Sequence, residues 1–234
     1  MSTLSKRLSI MFRRALDISA VFLLILSAAA CGCKPGEEGT GAAPPPSVKP
    51  ARNVYLFLGD SLTAGYGVTA EEAFPALLGE RWREEGIPFR ARNGGAGGMT
   101  TAVLLDNLDW HLTGDVHTVF LCIGANDGLR GRDLGRTKRD LDSIIRRVKA
   151  AGPRVVLAGV KIPPNYGAEY SRRFEEIFPA LARSWDLKIM PFLLEGVGGE
   201  RDLNIQDGIH PNPEGHRLIA RNVHAFLESE GLLK

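Results

Sequence analysis

Five short apolar runs, each followed by a turn and then by apolar residues at helical spacing, constrain this chain more than any other feature. The runs are Val54–Leu58, Ile87–Ala91, Thr118–Ile123, Arg154–Val160 and Leu187–Leu193. Short apolar runs bounded by glycine and polar residues read as strands buried on both faces. Between them, Phe74, Leu77, Leu78 and Trp82 recur at helical spacing, with Pro75 suited to a first turn and Gly86 to a stop. A helix capped by Thr100 or Thr101 is expected to reach about Trp110. Another runs over 137–151 with Thr137 as N-cap and Leu141, Ile144, Ile145 and Val148 on one face. Phe174, Ile177, Phe178, Leu181 and Trp185 mark a further helix. Asn212 caps a closing helix that runs to Leu227, with Pro213 in its first turn. Strand and helix alternating five times predict an α/β sandwich around a parallel sheet. Right-handed crossovers then carry every strand C-terminus to one edge.

That pattern starts only at residue 51. Lys6, Arg7, Arg13 and Arg14 form a basic region, and Ile18–Ala30 is an apolar stretch ending in small residues and too short for an ordinary membrane span. Residues 1–30 therefore read as a signal peptide. Leu26-Ser27-Ala28-Ala29-Ala30-Cys31 resembles the lipobox of bacterial lipoproteins, which implies cleavage before Cys31 and lipidation there. Ordinary signal cleavage and an uncleaved anchor are the alternatives, and each puts the body of the protein outside the cytoplasm. Residues 31–50, with Pro44-Pro45-Pro46, cannot bury a core and read as an extended tether, leaving residues 51–234 as one domain. A net charge of +2, with Lys and Arg spread along the chain and no aromatic-interleaved basic stripe, gives no case for nucleic acid. Of three cysteines only Cys122 lies in the body, inside an apolar run, so a disulfide framework is not expected. No cluster of His, Cys and Asp has metal-ligand spacing, and no metal or cofactor is expected.

Three loops converge on the C-terminal edge of the predicted sheet. Gly59-Asp60-Ser61-Leu62 follows the first strand, Asn93-Gly94-Gly95-Ala96-Gly97-Gly98 the second, and Gly124-Ala125-Asn126-Asp127 the third. The last loop, Asp207-Gly208-Ile209-His210, places a carboxylate three residues from an imidazole, within reach of one turn. A carboxylate on one ring nitrogen fixes the tautomer and frees the other nitrogen to take a proton from Ser61, which is a poor nucleophile without such a base. The amides of Ser61 and Gly98 and the side-chain amide of Asn126 could face a developing oxyanion. Taken singly, each segment has a plainer reading: Ser61 as a helix cap, Asp207 and His210 as a capped turn. The glycine loop could equally cradle a phosphate, though it lacks the Gly-x-Gly-x-x-Gly spacing of dinucleotide sites. His111, His117, His216 and His224 are assigned to surface or packing roles.

Together, and in this order, the four segments resemble the SGNH, or GDSL, hydrolase family. Gly124–Gly131 and Pro164-Asn165-Tyr166-Gly167 are similar to its thioesterase I/lysophospholipase L1 and arylesterase branch. The resemblance implies a flavodoxin-like three-layer sandwich with a five-stranded parallel sheet. It implies Ser61 as nucleophile, Asp207 and His210 completing the triad, and Ser61, Gly98 and Asn126 as the oxyanion hole, the family spacing from Asn93 selecting Gly98 over Gly97. It also implies that Asn165 and Tyr166 border the acyl chain. The expected activity is hydrolysis of carboxylic esters or thioesters, such as aryl esters or lysophospholipids, through an acyl-enzyme. The rivals are a non-catalytic lipoprotein that binds an acyl chain or glycan, and a nucleotide binder using the Gly94–Gly98 loop.

Overall fold

Strand β1 (Val54–Gly59) is buried along its whole length, because it is sandwiched between two strands and covered by helices on both faces. The computed structural model describes residues 53–234; the predicted leader, Cys31 and the tether lie outside the described residues. After β1 come α1 (Ser61–Ala64), α2 (Phe74–Glu84), β2 (Arg90–Asn93), α3 (Thr101–His111), β3 (Val116–Cys122), α4 (Ala125–Leu129) and α5 (Leu134–Ala151). Then follow β4 (Arg154–Ala158), α6 (Ala168–Glu175), α7 (Ile177–Trp185), β5 (Lys188–Met190) and α8 (Pro213–Ser229). All strand pairs are parallel, in the order β2-β1-β3-β4-β5. The order reverses between β1 and β3, so the crossovers leave toward opposite faces and a crevice opens above the C-terminal ends of these two strands.

Helices α2 and α8 cover one face, and α3, α5 and α7 pack on the other. Tyr55 of β1 meets Trp82 of α2, and Phe57 meets Phe74, both edge-on, at centroid separations of 5.1 and 5.6 Å. Each fully buried ring of this kind contributes roughly 1.5–3 kcal/mol. Buried polar atoms join the two helices of that layer. The Phe74 amide donates to Nδ1 of His216 at 3.3 Å, and the Trp82 indole donates to Nδ1 of His224 at 3.2 Å. Burial holds the His216 pKa down at about 4. These two histidines are buried within the fold.

Several boundaries differ from the sequence expectation. Strand β2 begins at Arg90, not Ile87, because Arg90 registers opposite Val54. It is a sheet edge of composition Arg-Ala-Arg-Asn, and none of its residues is fully buried, so no apolar run marks it. Helix α5 starts three residues before Thr137, capped by the Asp133 carboxylate on the Arg136 amide at 2.7 Å. The single helix expected through Phe174–Trp185 is two. Pro179 has no N–H to donate to Glu175, and its ring crowds that carbonyl, so the chain breaks at Glu176. Strand β4 ends at Ala158 and β5 at Met190, just before Pro191.

Candidate active site

Strand β1 delivers Ser61 to the crevice through a turn that admits only glycine at its entry. A Cβ on Gly59 would lie 2.1 Å from Oγ1 of Thr63 and 2.4 Å from the Cys122 carbonyl. The Asp60 carboxylate caps α1 by accepting from the Leu62 amide at 3.1 Å. Asp60 is 1% exposed, and burial raises its pKa to about 6 despite that hydrogen bond. Ser61 thus opens a four-residue helix, which Gly65 ends in a left-handed conformation. Cys122 is buried beside this turn, and burial pushes its thiol well above the ordinary range, so it stays protonated and inert.

His210 reaches Ser61 from a loop pinched at its base. Asn204 and Pro211 form an antiparallel bridge, and the Ile205 amide donates to the His210 carbonyl at 2.9 Å. The buried Asn204 side chain donates to the Val197 and Glu200 carbonyls, both at 2.7 Å. Asn212 caps α8 through the Gly215 amide at 3.0 Å. Held this way, Nε2 of His210 lies 2.9 Å from Oγ of Ser61, and Nδ1 lies 2.6 Å from Oδ2 of Asp207. The other Asp207 oxygen accepts from the Ile209 and His210 amides at 2.9 and 3.0 Å. Desolvation opposes the Asp207 charge, but those amides and the ring outweigh it and bring its pKa down to about 2. A carboxylate that stays ionised can hold the imidazole in one tautomer and stabilise its protonated form. The Tyr66 ring leans on His210 with centroids 4.6 Å apart.

The second and third loops complete the rim. Asn93 ties the glycine loop to α1, donating to the Thr63 carbonyl and accepting from the Gly95 amide, both at 2.9 Å. Gly98 has a φ of +72°, which favours glycine. Asn126 sits in the first turn of α4, and its amide donates to the Met99 carbonyl at 3.1 Å. That leaves the second amide hydrogen for another acceptor. Arg130 reaches the Gly98 carbonyl at 3.3 Å and Oδ1 of Asn126 at 3.5 Å.

Ser61, Gly98, Asn126 and His210 line one cavity of about 330 Å³, whose remaining wall is mostly apolar: Leu62, Leu129, Val160, Pro163, Phe192 and Ile209. Lys161 also lines it, its ammonium 4.7 Å from the Phe192 ring centroid. Asn165 and Tyr166, expected beside the substrate, do not line it. After Pro163 the chain enters a one-turn 3-10 helix over Pro164–Tyr166, so the loop reaches the crevice through Lys161 and Pro163. Tyr66, Arg130 and Phe192 were not singled out for a role from sequence. Arg130 lies inside the Gly124–Gly131 segment that carries the resemblance, which is its signal, whereas Tyr66 lies four residues beyond Gly59–Leu62. Phe192 lines the crevice from the segment that follows the end of β5 at Met190.

Residues 57–218 match the GDSL-like lipase/acylhydrolase family. The chain belongs to that family. Among similar members, the arylesterase of Vibrio mimicus is 40% identical over 176 residues, covering 74% of this chain and 87% of that protein. The thioesterase 1/protease 1/lysophospholipase L1 of Escherichia coli K12 is 36% identical over 171 residues, covering 73% and 81%. The crystal structure of the psychrotrophic esterase EstA from Pseudoalteromonas sp., inhibited by monoethylphosphonate, superposes with a TM-score of 0.73 at 31% identity, over 76% of this chain and 97% of that one. The three-layer α/β architecture of this chain, with its five-stranded parallel sheet, is thus the fold it has in common with that esterase.

Proposed function

We propose that this family member is a serine esterase that cleaves carboxylic esters or thioesters through an acyl-enzyme. The observation that carries this reading is the relay from Ser61 to His210 to Asp207, at 2.9 and 2.6 Å, opening onto an apolar crevice. Ser61 attacks the carbonyl carbon as Nε2 of His210 takes its proton. The tetrahedral oxyanion sits against the amides of Ser61 and Gly98 and the free hydrogen of the Asn126 amide, where one donor is worth about 3–4 kcal/mol of barrier. His210 then protonates the leaving alcohol or thiol. Water, deprotonated by His210, attacks the acyl-Ser61 ester and regenerates the hydroxyl. Ser61→Ala should abolish both p-nitrophenyl ester turnover and covalent labelling by a fluorophosphonate while leaving the circular dichroism spectrum unchanged. Full residual turnover would reject the assignment. Labelling of the wild type also separates this reading from a non-catalytic acyl-chain binder, whose serine would stay unlabelled.

The substrate class we propose is an uncharged acyl group on an aryl, thiol or glycerol-derived leaving group, supported by the apolar wall and by the names of the relatives. An aryl ester and a lysophospholipid, assayed side by side across acyl-chain lengths, distinguish these leaving groups. We further propose export and lipid anchoring through Cys31, supported by the basic and apolar leader and the small residues before that cysteine. Metabolic labelling with a radioactive fatty acid, lost on Cys31→Ser, is the expected result.

A further inference from the structure

The two oxyanion donors beyond Ser61 sit on separate segments. The glycine loop carrying one of them is tied at its start by Asn93 and by the Gly94 and Ala96 amides, but its Gly97–Gly98 end has little packing of its own. A Cβ on Gly97 would meet nothing within 4 Å, and one on Gly98 would meet only the guanidinium of Arg130 at 3.5 Å. Preorganised donors act only if their positions hold to about 0.5 Å. Something other than side-chain packing must hold the Gly98 amide in register with Asn126.

The contacts that can do so lie at the loop's exit. Thr101 is fully buried three residues after Gly98, and Asp127, 1% exposed, directly follows Asn126. Both oxygens of that carboxylate are used: one accepts from the Thr101 amide at 2.9 Å, the other from the Thr101 hydroxyl at 2.8 Å. Among the described residues Asp127 has no ion-pair partner, so the amide in the first turn of α3 and this hydroxyl are what satisfy its buried carboxyl oxygens. Helix capping alone does not account for it, because Thr100 already caps α3 through the Val103 amide. Two further ties run in parallel, from Asn126 to the Met99 carbonyl and from the exposed Arg130 to the Gly98 carbonyl. All of them fall between residues 98–101 and 126–130.

We propose that Asp127, through Thr101, is the positioning residue of the oxyanion hole, clamping the segment of the Gly98 amide to the segment of the Asn126 amide. It touches no substrate atom and acts only by fixing the distance between the two donors. This rests on the reading of Ser61, Gly98 and Asn126 given above.

The test compares Thr101→Val, Thr101→Ser and Asp127→Asn with wild type on a p-nitrophenyl ester. Loss of the clamp should lower kcat about 10- to 100-fold with KM changed less than about twofold, the range a misplaced catalytic group produces. Thr101→Ser, which keeps the hydroxyl, should restore kcat to within about threefold. Inhibition by an alkyl boronic acid, which forms a tetrahedral adduct on Ser61, should weaken in step with kcat/KM. Leu108→Ala, in the buried face of the same helix, should lower Tm without the kcat loss. Asp127→Asn should also cost less in an Asn126→Ala background than alone. The proposal is overturned by wild-type kcat in Thr101→Val and Asp127→Asn, by a kcat loss that follows Tm alike in Leu108→Ala, or by full additivity with Asn126→Ala. If Ser61→Ala or Asn126→Ala keeps full turnover, the reading of the site fails and takes the clamp with it. Losses in those two variants beside wild-type kcat in the clamp variants sink the clamp alone.

Discussion

Replacing Asp60 by asparagine removes a buried negative charge one residue before the nucleophile while keeping an oxygen for the Leu62 amide. Burial lifts the Asp60 pKa from 3.8 to about 6, so the folded protein holds this proton more tightly than the unfolded chain does. A raised folded pKa contributes stability that is fully present below the unfolded pKa and is lost as pH rises through the folded one. Here the window is pH 3.8 to about 6. The whole effect is about 3 kcal/mol, and about 2 kcal/mol of it falls between pH 4.5 and 8. Asp60→Asn carries no such dependence. Its Tm, measured against wild type, should therefore be higher at pH 8 than at pH 4.5 by about 4–8 °C more than any constant offset, for a domain of this size. The other titrating groups are common to both proteins and cancel in the comparison. Thermal unfolding followed by circular dichroism at the two pH values is sufficient. An equal Tm difference at both would show that burial does not hold the proton on Asp60.

Three further outcomes are expected. Gly59→Ala must push the new methyl group into the Cys122 carbonyl and Thr63, costing at least about 1–3 kcal/mol in urea unfolding and lowering kcat with it, and a neutral result would refute the close approach. His216, whose pKa falls to about 4, should stay neutral in nitrogen-resolved NMR at pH 5.5. Because the neutral ring is favoured in the fold, its contribution of about 3 kcal/mol is present above pH 6.5 and fades as pH falls toward 4, and titration near 6.5 would contradict this. Leu129→Trp should fill part of the crevice and shift the preferred p-nitrophenyl ester to a shorter acyl chain, and an unchanged chain-length profile would place the acyl group elsewhere.

Much of this architecture is legible in the residues because β1 and β3 are central. Both faces of each are covered, so they read as continuous apolar runs. Strand β2 shows the limit. It pairs on one side only and keeps two arginines, one bound to Asn53 and Asp115, so pairing register and not hydrophobicity decides where it lies. At the site, the Asp207–His210 pair is local, and its three-residue spacing is readable. The approach of His210 to Ser61 depends on how far-apart segments pack, and their order along the chain is the only sequence trace of it. Asn165 and Tyr166 sit in a 3-10 turn just after Pro163 and outside the cavity lining, a local backbone choice that the sequence pattern does not encode. The roles of Tyr66, Phe192 and Asp127 come from which side chains meet in three dimensions, which periodicity does not encode.

Ser61 and His210 are 149 positions apart, and α8 brings the latter home by docking on α2 through His216 and His224, while Tyr55 donates to the carbonyl of Leu232. A ribosome making this chain exposes the hydroxyl well before the imidazole. On the proposed mechanism, a polypeptide made only as far as α7 thus carries a harmless alcohol, and esters in its surroundings go uncut until α8 has settled.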